Sequence, residues 1–221
     1  MELKKFRNKY DLELIPASTE NIILGTLVWD PLIGKPDFEH RGMPNHIFNA
    51  ILDAELIDQH EWKQHLEDAR SEKPIKANLA ESMIDVDLTV AASLEQPLMG
   101  TIDNKFGLKN ISKFSFGNLE AKTMSNLMRV RIDDYLEELK KKKWEKYDGS
   151  IRRVFIITEL YYGSINLIVK QELKEKFTAA IKNSGLDIST ETELGRSIEY
   201  TFDHRDVPFA MRLERVRDFN G

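Results

Sequence analysis

Two long runs of strand-type residues in the last third of the chain constrain its fold more than any other feature. They cover residues 153–170 and 196–216, and each is about three times as long as an average strand. The apolar positions change phase within both runs, after Gly163 in the first and within residues 203–206 in the second. Because a one-residue slip turns every side chain to the other face, a bulge or turn is expected at each change of phase.

A helical pattern separates the two runs. Its apolar residues fall one turn apart on a single face, and Gly185 is expected to end the helix. These apolar residues are Leu173, Phe177, Ala180 and Ile181. Their spacing predicts a helix that packs this face against the sheet.

Strand and helix patterns also alternate through the first two thirds of the chain. Strands are predicted over residues 12–14, 22–29, 83–90, 98–106 and 109–119, and helices over residues 44–52, 58–70 and 128–143. A flexible excursion is the alternative to an exposed helix at residues 58–70. This order favours an α+β fold with a twisted, mainly antiparallel sheet and several surrounding helices. No low-complexity linker is visible, so a single domain over residues 1–221 is expected.

Composition excludes several classes of function. The chain of 221 residues has no cysteine, which excludes disulfides, thiolate metal sites and cysteine nucleophiles. No secretory signal and no run of about 20 apolar residues is present, so a cytoplasmic protein is predicted. The net charge of −5 argues against general binding of nucleic acid, which requires a basic surface.

The sequence offers no evident catalytic constellation. Walker, dinucleotide-binding and nucleophile-elbow motifs are missing. The five histidines are scattered, and His60 and His65 are poorly spaced for two ligands on one helical face, so they are interpreted as surface residues. Acidic pairs such as Asp85 with Asp87 are interpreted as solvated faces. The prediction is therefore a protein that is not an enzyme and has neither a metal nor a cofactor.

Basic residues cluster in the first nine positions of the chain. They are Lys4, Lys5, Arg7 and Lys9. A short basic helix that also carries Phe6 and Tyr10 is a candidate surface-binding element for anionic lipid. A second basic run at residues 140–143 is interpreted as the solvated end of a helix.

A turn-rich loop that follows the second predicted strand adds further candidates for contact with lipid. They are Trp29, Leu32, Ile33 and Lys35. Water disfavours exposed apolar residues in a loop, so either a membrane contact or packing beneath the loop explains them.

These patterns, taken together, resemble a known family. The matching stretches are residues 12–36, 111–139, 153–171 and 207–216. They include the strand-type run Phe114-Ser115-Phe116 before a helix and a final strand with an apolar-Ala-apolar-Arg-apolar pattern around Arg212. In this order the pieces are similar to the N-terminal, pore-forming domain of gasdermins, particularly its compact microbial and fungal members.

The resemblance implies a protein that permeabilises membranes. Such a domain binds acidic phospholipid, oligomerises with copies of itself and inserts β-hairpins, which causes regulated cell death in defence. One hairpin would come from residues 75–115 and the other from residues 153–216, with the helix between the two long runs refolding. The protein would be cytoplasmic when soluble and would act at the inner cell membrane.

Two departures from the family concern activation. Small bacterial members commonly carry an acylated cysteine near the start, and inhibited members carry a C-terminal segment that a protease removes. Here the last predicted strand ends near Arg217, without an evident inhibitory segment. Cleavage of a longer chain and control by an activating or inhibitory partner protein are both left open. A soluble immunity or adaptor protein without membrane activity is the alternative function, and a small α+β enzyme is a further one.

Overall fold

The computed structural model describes residues 3–15, 22–29, 46–93, 97–141, 154–182, 184, 186–203, 207–219 and 221. Seven α-helices and nine β-strands lie within these residues. The helices are α1 (Leu3–Tyr10), α2 (Ile47–Asp53), α3 (Gln59–Ser71), α4 (Leu88–Ser93), α5 (Pro97–Lys105), α6 (Asn126–Lys141) and α7 (Lys174–Lys182). The strands are β1 (Glu13–Leu14), β2 (Leu27–Trp29), β3 (Ile75–Lys76), β4 (Ile84–Val86), β5 (Ile111–Thr123), β6 (Val154–Lys170), β7 (Thr190–Leu194), β8 (Ser197–Phe202) and β9 (Ala210–Arg215).

The strands form a mainly antiparallel sheet, and the predicted α+β fold class is confirmed. The main strand order is β1-β9-β6-β5-β3, while β2 and β8 also pair with β6, β4 pairs with β5, and β7 pairs with β8. The longest strand, β6, therefore organises the sheet. Its C-terminal half pairs with β8 in a register that runs from Ile165 opposite Phe202 to Lys170 opposite Ser197.

The described chain divides into two compact units. Unit 1 consists of Met1–Glu20, Lys76–Ala121 and Tyr161–Ala210, and unit 2 consists of Asn21–Ile75, Lys122–Leu160 and Met211–Gly221. Each unit is assembled from three separate stretches of sequence. Neither unit can therefore be expressed as one continuous segment.

Unit 1 has an aromatic core. Phe116 and Phe209 stack with ring centroids 3.9 Å apart, and Phe114 meets Phe116 edge to face at 5.1 Å. Phe177 of α7 packs on Tyr200 of β8, at a centroid distance of 4.5 Å. All five side chains are nearly inaccessible to solvent. Buried aromatic residues each contribute a large apolar area, so this cluster is a main source of the unit's stability.

Unit 2 has a separate core built around α6. This helix buries a stripe of apolar residues at intervals of three and four positions, as an amphipathic helix does. The stripe is Met128, Ile132, Leu136 and Leu139. On its partly exposed side Arg129 donates two hydrogen bonds of 2.8 Å to the carboxylate of Glu214 in β9. This bidentate pair lowers the pKa of Glu214.

The change of phase after Gly163 was expected to mark a bulge or turn, but it arises because both faces of the strand are buried. Strand β6 runs through Gly163 without a turn, and residues 160–167 are buried at every position. Apolar residues can occupy both faces because both are covered. A Cβ atom at Gly163 would lie 2.9 Å from the carbonyl oxygen of Gly117, so glycine is required for this close approach.

The neighbouring strand β5 contains a phase change that the sequence did not predict. Phe114 and Phe116 are buried before it, and Leu119 and Ala121 are buried after it. Between them Asn118 is exposed and adopts a left-handed conformation, with φ of 48°. Asparagine tolerates this conformation better than most residues, and here it shifts the alternation by one position.

Of two further predicted strands, the one over residues 83–90 is confirmed only in part and the one over residues 98–106 is wrong. Within residues 83–90 only β4 is a strand, because Asp87 accepts hydrogen bonds from the backbone N–H (2.9 Å) and the hydroxyl (2.6 Å) of Thr89 as the chain turns into α4. Residues 98–106 form most of α5 and its end. The apolar residues Leu98, Ile102 and Phe106 are four apart, a spacing that fits a helix and a strand equally well.

Strand β7, which is exposed along its whole length, was not predicted.

Candidate functional site

The basic helix α1 forms as predicted, but its charges are partly compensated. Arg7 donates a hydrogen bond of 2.8 Å to the carboxylate of Glu13. The Nζ atom of Lys9 lies 3.5 Å from the carboxylate of Glu81. Lys5 is exposed, while the side chain of Lys4 lies outside the described part of the structure. The positive charge available to an anionic surface is therefore smaller than the count of basic residues suggests.

The apolar side of α1 belongs to the core of unit 1. Phe6 is 1% exposed and packs on Tyr10, with ring centroids 4.9 Å apart. In this conformation Phe6 cannot enter a lipid surface. Any membrane contact of α1 would thus depend on its charges rather than on its aromatic residues.

The second predicted contact with lipid cannot be placed. Trp29 ends β2, but its side chain is not described, and Leu32, Ile33 and Lys35 lie outside the described residues. Their proposed role stays a prediction.

The four predicted apolar residues on and beside α7 lie together on the core of unit 1. Phe177 and Ile181 are buried, and Leu173 and Ala180 are partly buried against the same cluster. Phe177 contacts Phe106 edge to face at 4.9 Å as well as Tyr200. The helix is therefore held by aromatic packing, while its role in refolding stays a prediction.

Two histidines that sequence reasoning placed on the surface are buried in unit 2. His46 is 4% exposed and His65 is 8% exposed. Both rings stack on Phe48, at centroid distances of 5.1 Å for His46 and 4.6 Å for His65. We call His46, Phe48 and His65 the histidine stack. The burial of His65 could have been predicted from the sequence, because His65 shares one helical face with Trp62, Leu66 and Ala69.

His46 caps α2 through its ring. Its Nδ1 accepts a hydrogen bond of 3.1 Å from the backbone N–H of Phe48, and its Nε2 donates one of 2.7 Å to the carbonyl oxygen of Leu24. Both bonds together fix the neutral tautomer that carries its proton on Nε2. Burial lowers the pKa of His46 to about 4.

His65 borders a cavity of about 230 Å³ between α3 and the start of α6. Neither of its ring nitrogens has a hydrogen-bond partner within the described residues. Burial, together with Arg131, lowers the pKa of His65. Arg131 also lines the cavity and donates a hydrogen bond of 3.2 Å to Asp68.

Two kinds of site do not occur in the part of the chain that is described. No group of three or more histidines or carboxylates is arranged to hold a metal ion there. Among the described helices, none is both long and apolar enough to cross a membrane.

No protein-family model matches the chain, and no curated protein matches it in sequence.

Proposed function

We propose that this protein is a pore-forming protein of the gasdermin type, which binds acidic phospholipid, oligomerises and inserts β-hairpins into a membrane. The observation that carries the proposal is a dual pattern in the sequence around α7. The same residues satisfy the period of a helix and the period of a membrane-inserted strand.

The sheet of unit 1 already contains the base of such a hairpin. Strands β6 and β8 are antiparallel neighbours whose pairing ends at Lys170 and Ser197. The backbone N–H of Gln171 donates a hydrogen bond of 2.9 Å to the carbonyl oxygen of Arg196. Residues 171–196 are thus an insertion between two paired strands. Strand β7 lies within this stretch and pairs with β8, so it would have to leave β8 for the β6–β8 ladder to continue into residues 171–196.

The first side of the insertion alternates as an amphipathic strand. From Ile165 to Ile181 the odd-numbered positions are apolar, with Gln171 and Glu175 as the exceptions. The even-numbered positions between them are mostly polar or charged. This alternation continues from β6 through α7 in a single phase, and it exceeds the about 9–11 residues that a strand needs to span a bilayer.

The second side alternates without exception on its polar face, while Thr190, Thr192 and Arg196 interrupt its apolar face. Every odd-numbered position from Asp187 to Asp203 carries a polar residue or glycine. The even-numbered positions include all the apolar residues of this stretch: Leu186, Ile188, Leu194, Ile198, Tyr200 and Phe202. The two sides therefore match as the strands of one hairpin with an apolar and a polar face.

A second segment of unit 1 has the same property. From Ile84 to Leu94 every even-numbered position is apolar, and the odd-numbered positions are polar except for Ala91. The structure nevertheless folds the second half of this stretch into α4. The segment lies within the first hairpin that the resemblance implies, residues 75–115.

Ala179 offers a way to test the strand pattern without disturbing the helix. Its side chain is exposed on α7, but in an extended hairpin it would join the apolar face. Lysine is a good helix former, so Ala179→Lys should leave the folded protein intact. On the lipid face of a hairpin lysine costs about 2–4 kcal/mol at the bilayer centre. We expect dye leakage from anionic vesicles to fall by about tenfold or more.

Glu172→Lys is the matched control. Glu172 is also exposed, and it occupies an even-numbered position that would face away from lipid. It changes the charge by twice as much in the same direction, so a purely electrostatic effect would be larger for Glu172→Lys than for Ala179→Lys. Near-normal leakage is expected for this variant. Equal leakage by both variants would show that α7 does not form a membrane strand.

The vesicle experiment also decides between the proposal and a soluble interaction protein. The exposed residues Leu127 (62%) and Val130 (47%) are three apart on α6 and favour contact with a partner. Wild-type protein that neither sediments with anionic vesicles nor leaks their dye, with or without proteolysis, would support the interaction protein instead.

A further inference from the structure

The histidine stack fixes the position of α2 through bonds that require a neutral ring. Nδ1 of His46 accepts from the N–H of Phe48, so this nitrogen must be unprotonated. Protonation would place an N–H against an N–H and remove the side-chain cap of the helix. The bond from Nε2 to the carbonyl oxygen of Leu24 survives protonation, but it satisfies only one of the two nitrogens.

The backbone of residue 25 lies against the Nε2 edge of the His46 ring. A Cβ atom at Gly25 would lie 2.6 Å from its Nε2, so the backbone of residue 25 touches the ring. Gly25 holds φ at 86°, a conformation that favours glycine. The backbone N–H of Ile47 also donates a 3.0 Å hydrogen bond to the carbonyl oxygen of Gly25. His46 is 4% exposed, so a charged ring would be buried while α2 stays in place.

The charged groups around the stack do not compensate a proton on His46. Arg70 of α3 and His65 both disfavour the charged form of His46. Around His65, Arg131 of α6 disfavours the charged form, while Asp68 and Glu61 of α3 favour it. Tyr135 of α6 contacts the His65 ring at a centroid distance of 6.2 Å and is uncharged at neutral pH.

We infer that the histidine stack is an acid-sensitive latch, which holds α2 in unit 2 at neutral pH and releases it when His46 is protonated. Release would expose Ile47, Phe48 and Ile51, which are at most 1% exposed in the closed state. Acidification would thus present a new apolar surface. This inference does not depend on pore formation.

The direction and size of the effect follow from linkage. An unfolded histidine titrates near pH 6.5, whereas the pKa of His46 in the folded protein is about 4. The contribution of neutral His46 is complete above about pH 6.5 and is lost as the pH falls towards about 4. At pH 5 the equilibrium for opening α2 should be about 30-fold larger than at pH 7.5.

Hydrogen exchange measured on the full chain tests the latch. After correction for intrinsic rates, the α2 amides should lose about 30-fold of their protection between pH 7.5 and pH 5. The amides of α7, which has no histidine, should change much less. Binding of a fluorescent apolar dye should rise over the same range. Equal loss of protection in α2 and α7 would indicate general acid unfolding and would overturn the latch.

Two substitutions by asparagine form a matched pair. His46→Asn keeps a side-chain oxygen that can cap α2 but cannot be protonated, so the acid response should disappear. His60→Asn replaces an exposed histidine on α3 and should retain the full response. A normal acid response in His46→Asn would overturn the proposal.

A measurement on the wild-type protein covers the case in which His46→Asn fails to fold. The ring of His46 can be followed by NMR as the pH is lowered. It should stay neutral at pH 6 and acquire its proton only as the α2 amides lose protection. Protonation near pH 6.5 with α2 still protected would equally overturn the latch.

Discussion

Helices α3 and α7 are both amphipathic, yet they form for different reasons. Helix α3 begins with a capping box: Asp58 accepts hydrogen bonds of 2.8 Å from the N–H groups of His60 and Glu61, and Glu61 accepts one of 3.1 Å from the N–H of Asp58. Helix α7 continues from a 3-10 turn, and Lys170 before that turn makes no side-chain cap. Local sequence thus specifies the start of α3, whereas α7 depends on its buried face.

The two helices also differ in what else their sequences allow. If α3 were extended as a strand, charged and apolar residues would occur on both of its faces. Its sequence therefore does not fit an amphipathic strand. Helix α7 gives an apolar and a polar face at either period. A helix that is held mainly by packing is lost when the packing is removed, and the alternation around α7 is the feature that would let it become the strand that we propose.

The largest effect that would sharpen this comparison is expected from Phe177→Ala. Phe177 is fully buried among Phe106, Tyr200 and Phe202, so its removal should cost about 3–5 kcal/mol and leave a cavity. Hydrogen exchange should show that α7 loses protection first, while α3 keeps it. Lys176→Ala, on the exposed side of the same helix, is the control. If α3 and α7 lost protection together, the comparison between them would fail.

A smaller effect is expected from Asp58→Ala. Losing the capping box should lower the melting temperature by about 2–4 °C and increase exchange at the start of α3, without changing α7. Asp58→Ser should restore most of the loss because serine also caps helices. The pKa of Asp58 is lowered chiefly by its hydrogen bond from Glu61 N–H, so the cap should weaken as the pH falls below the usual range of aspartate. An unaltered α3 in Asp58→Ala would show that packing holds this helix too.

The smallest effect is expected from the surface ion pairs that each helix makes. Lys174 at the start of α7 lies 2.6 Å from Glu191, and Asp68 of α3 lies 3.2 Å from Arg131. Lys174→Gln and Asp68→Asn should each lower the melting temperature less than Asp58→Ala does, and 1 M salt should remove the difference from wild type. A loss of melting temperature that persisted in high salt would mean that the ion pair stabilises its helix by more than the attraction between two exposed charges.

The sequence predicted strand β6 and helices α2 and α6 because their apolar residues repeat clearly at one period. Helix α7 was predicted from its helical face although its residues also alternate at period two, and α3 was predicted as one of two alternatives because its residues are mostly charged. The prediction failed at α4 and α5. There the spacing of Leu98, Ile102 and Phe106 fits both structures, and only the contacts made in the folded chain select the helix.

The candidate sites divide in the same way. The basic helix α1 was visible in sequence, but its ion pairs with Glu13 and Glu81 involve residues 6 and 72 positions away from Arg7 and Lys9, and no local pattern predicts the second. The histidine stack joins residues 46, 48 and 65 through the packing of two helices, so neither its burial nor the neutral state of His46 could be read from spacing.

By itself the sequence determined the α+β class, the helical face of α7, the lack of cysteine chemistry and the period-two alternation over residues 165–203. Only the tertiary structure decided that α3 is a helix and not a flexible excursion, that Phe6 is buried and that His46 is held neutral. The physical reason is that backbone propensity and periodicity act over a few residues. Burial, which selects between structures of similar local energy and shifts the pKa of a histidine, is set by groups far apart in the chain.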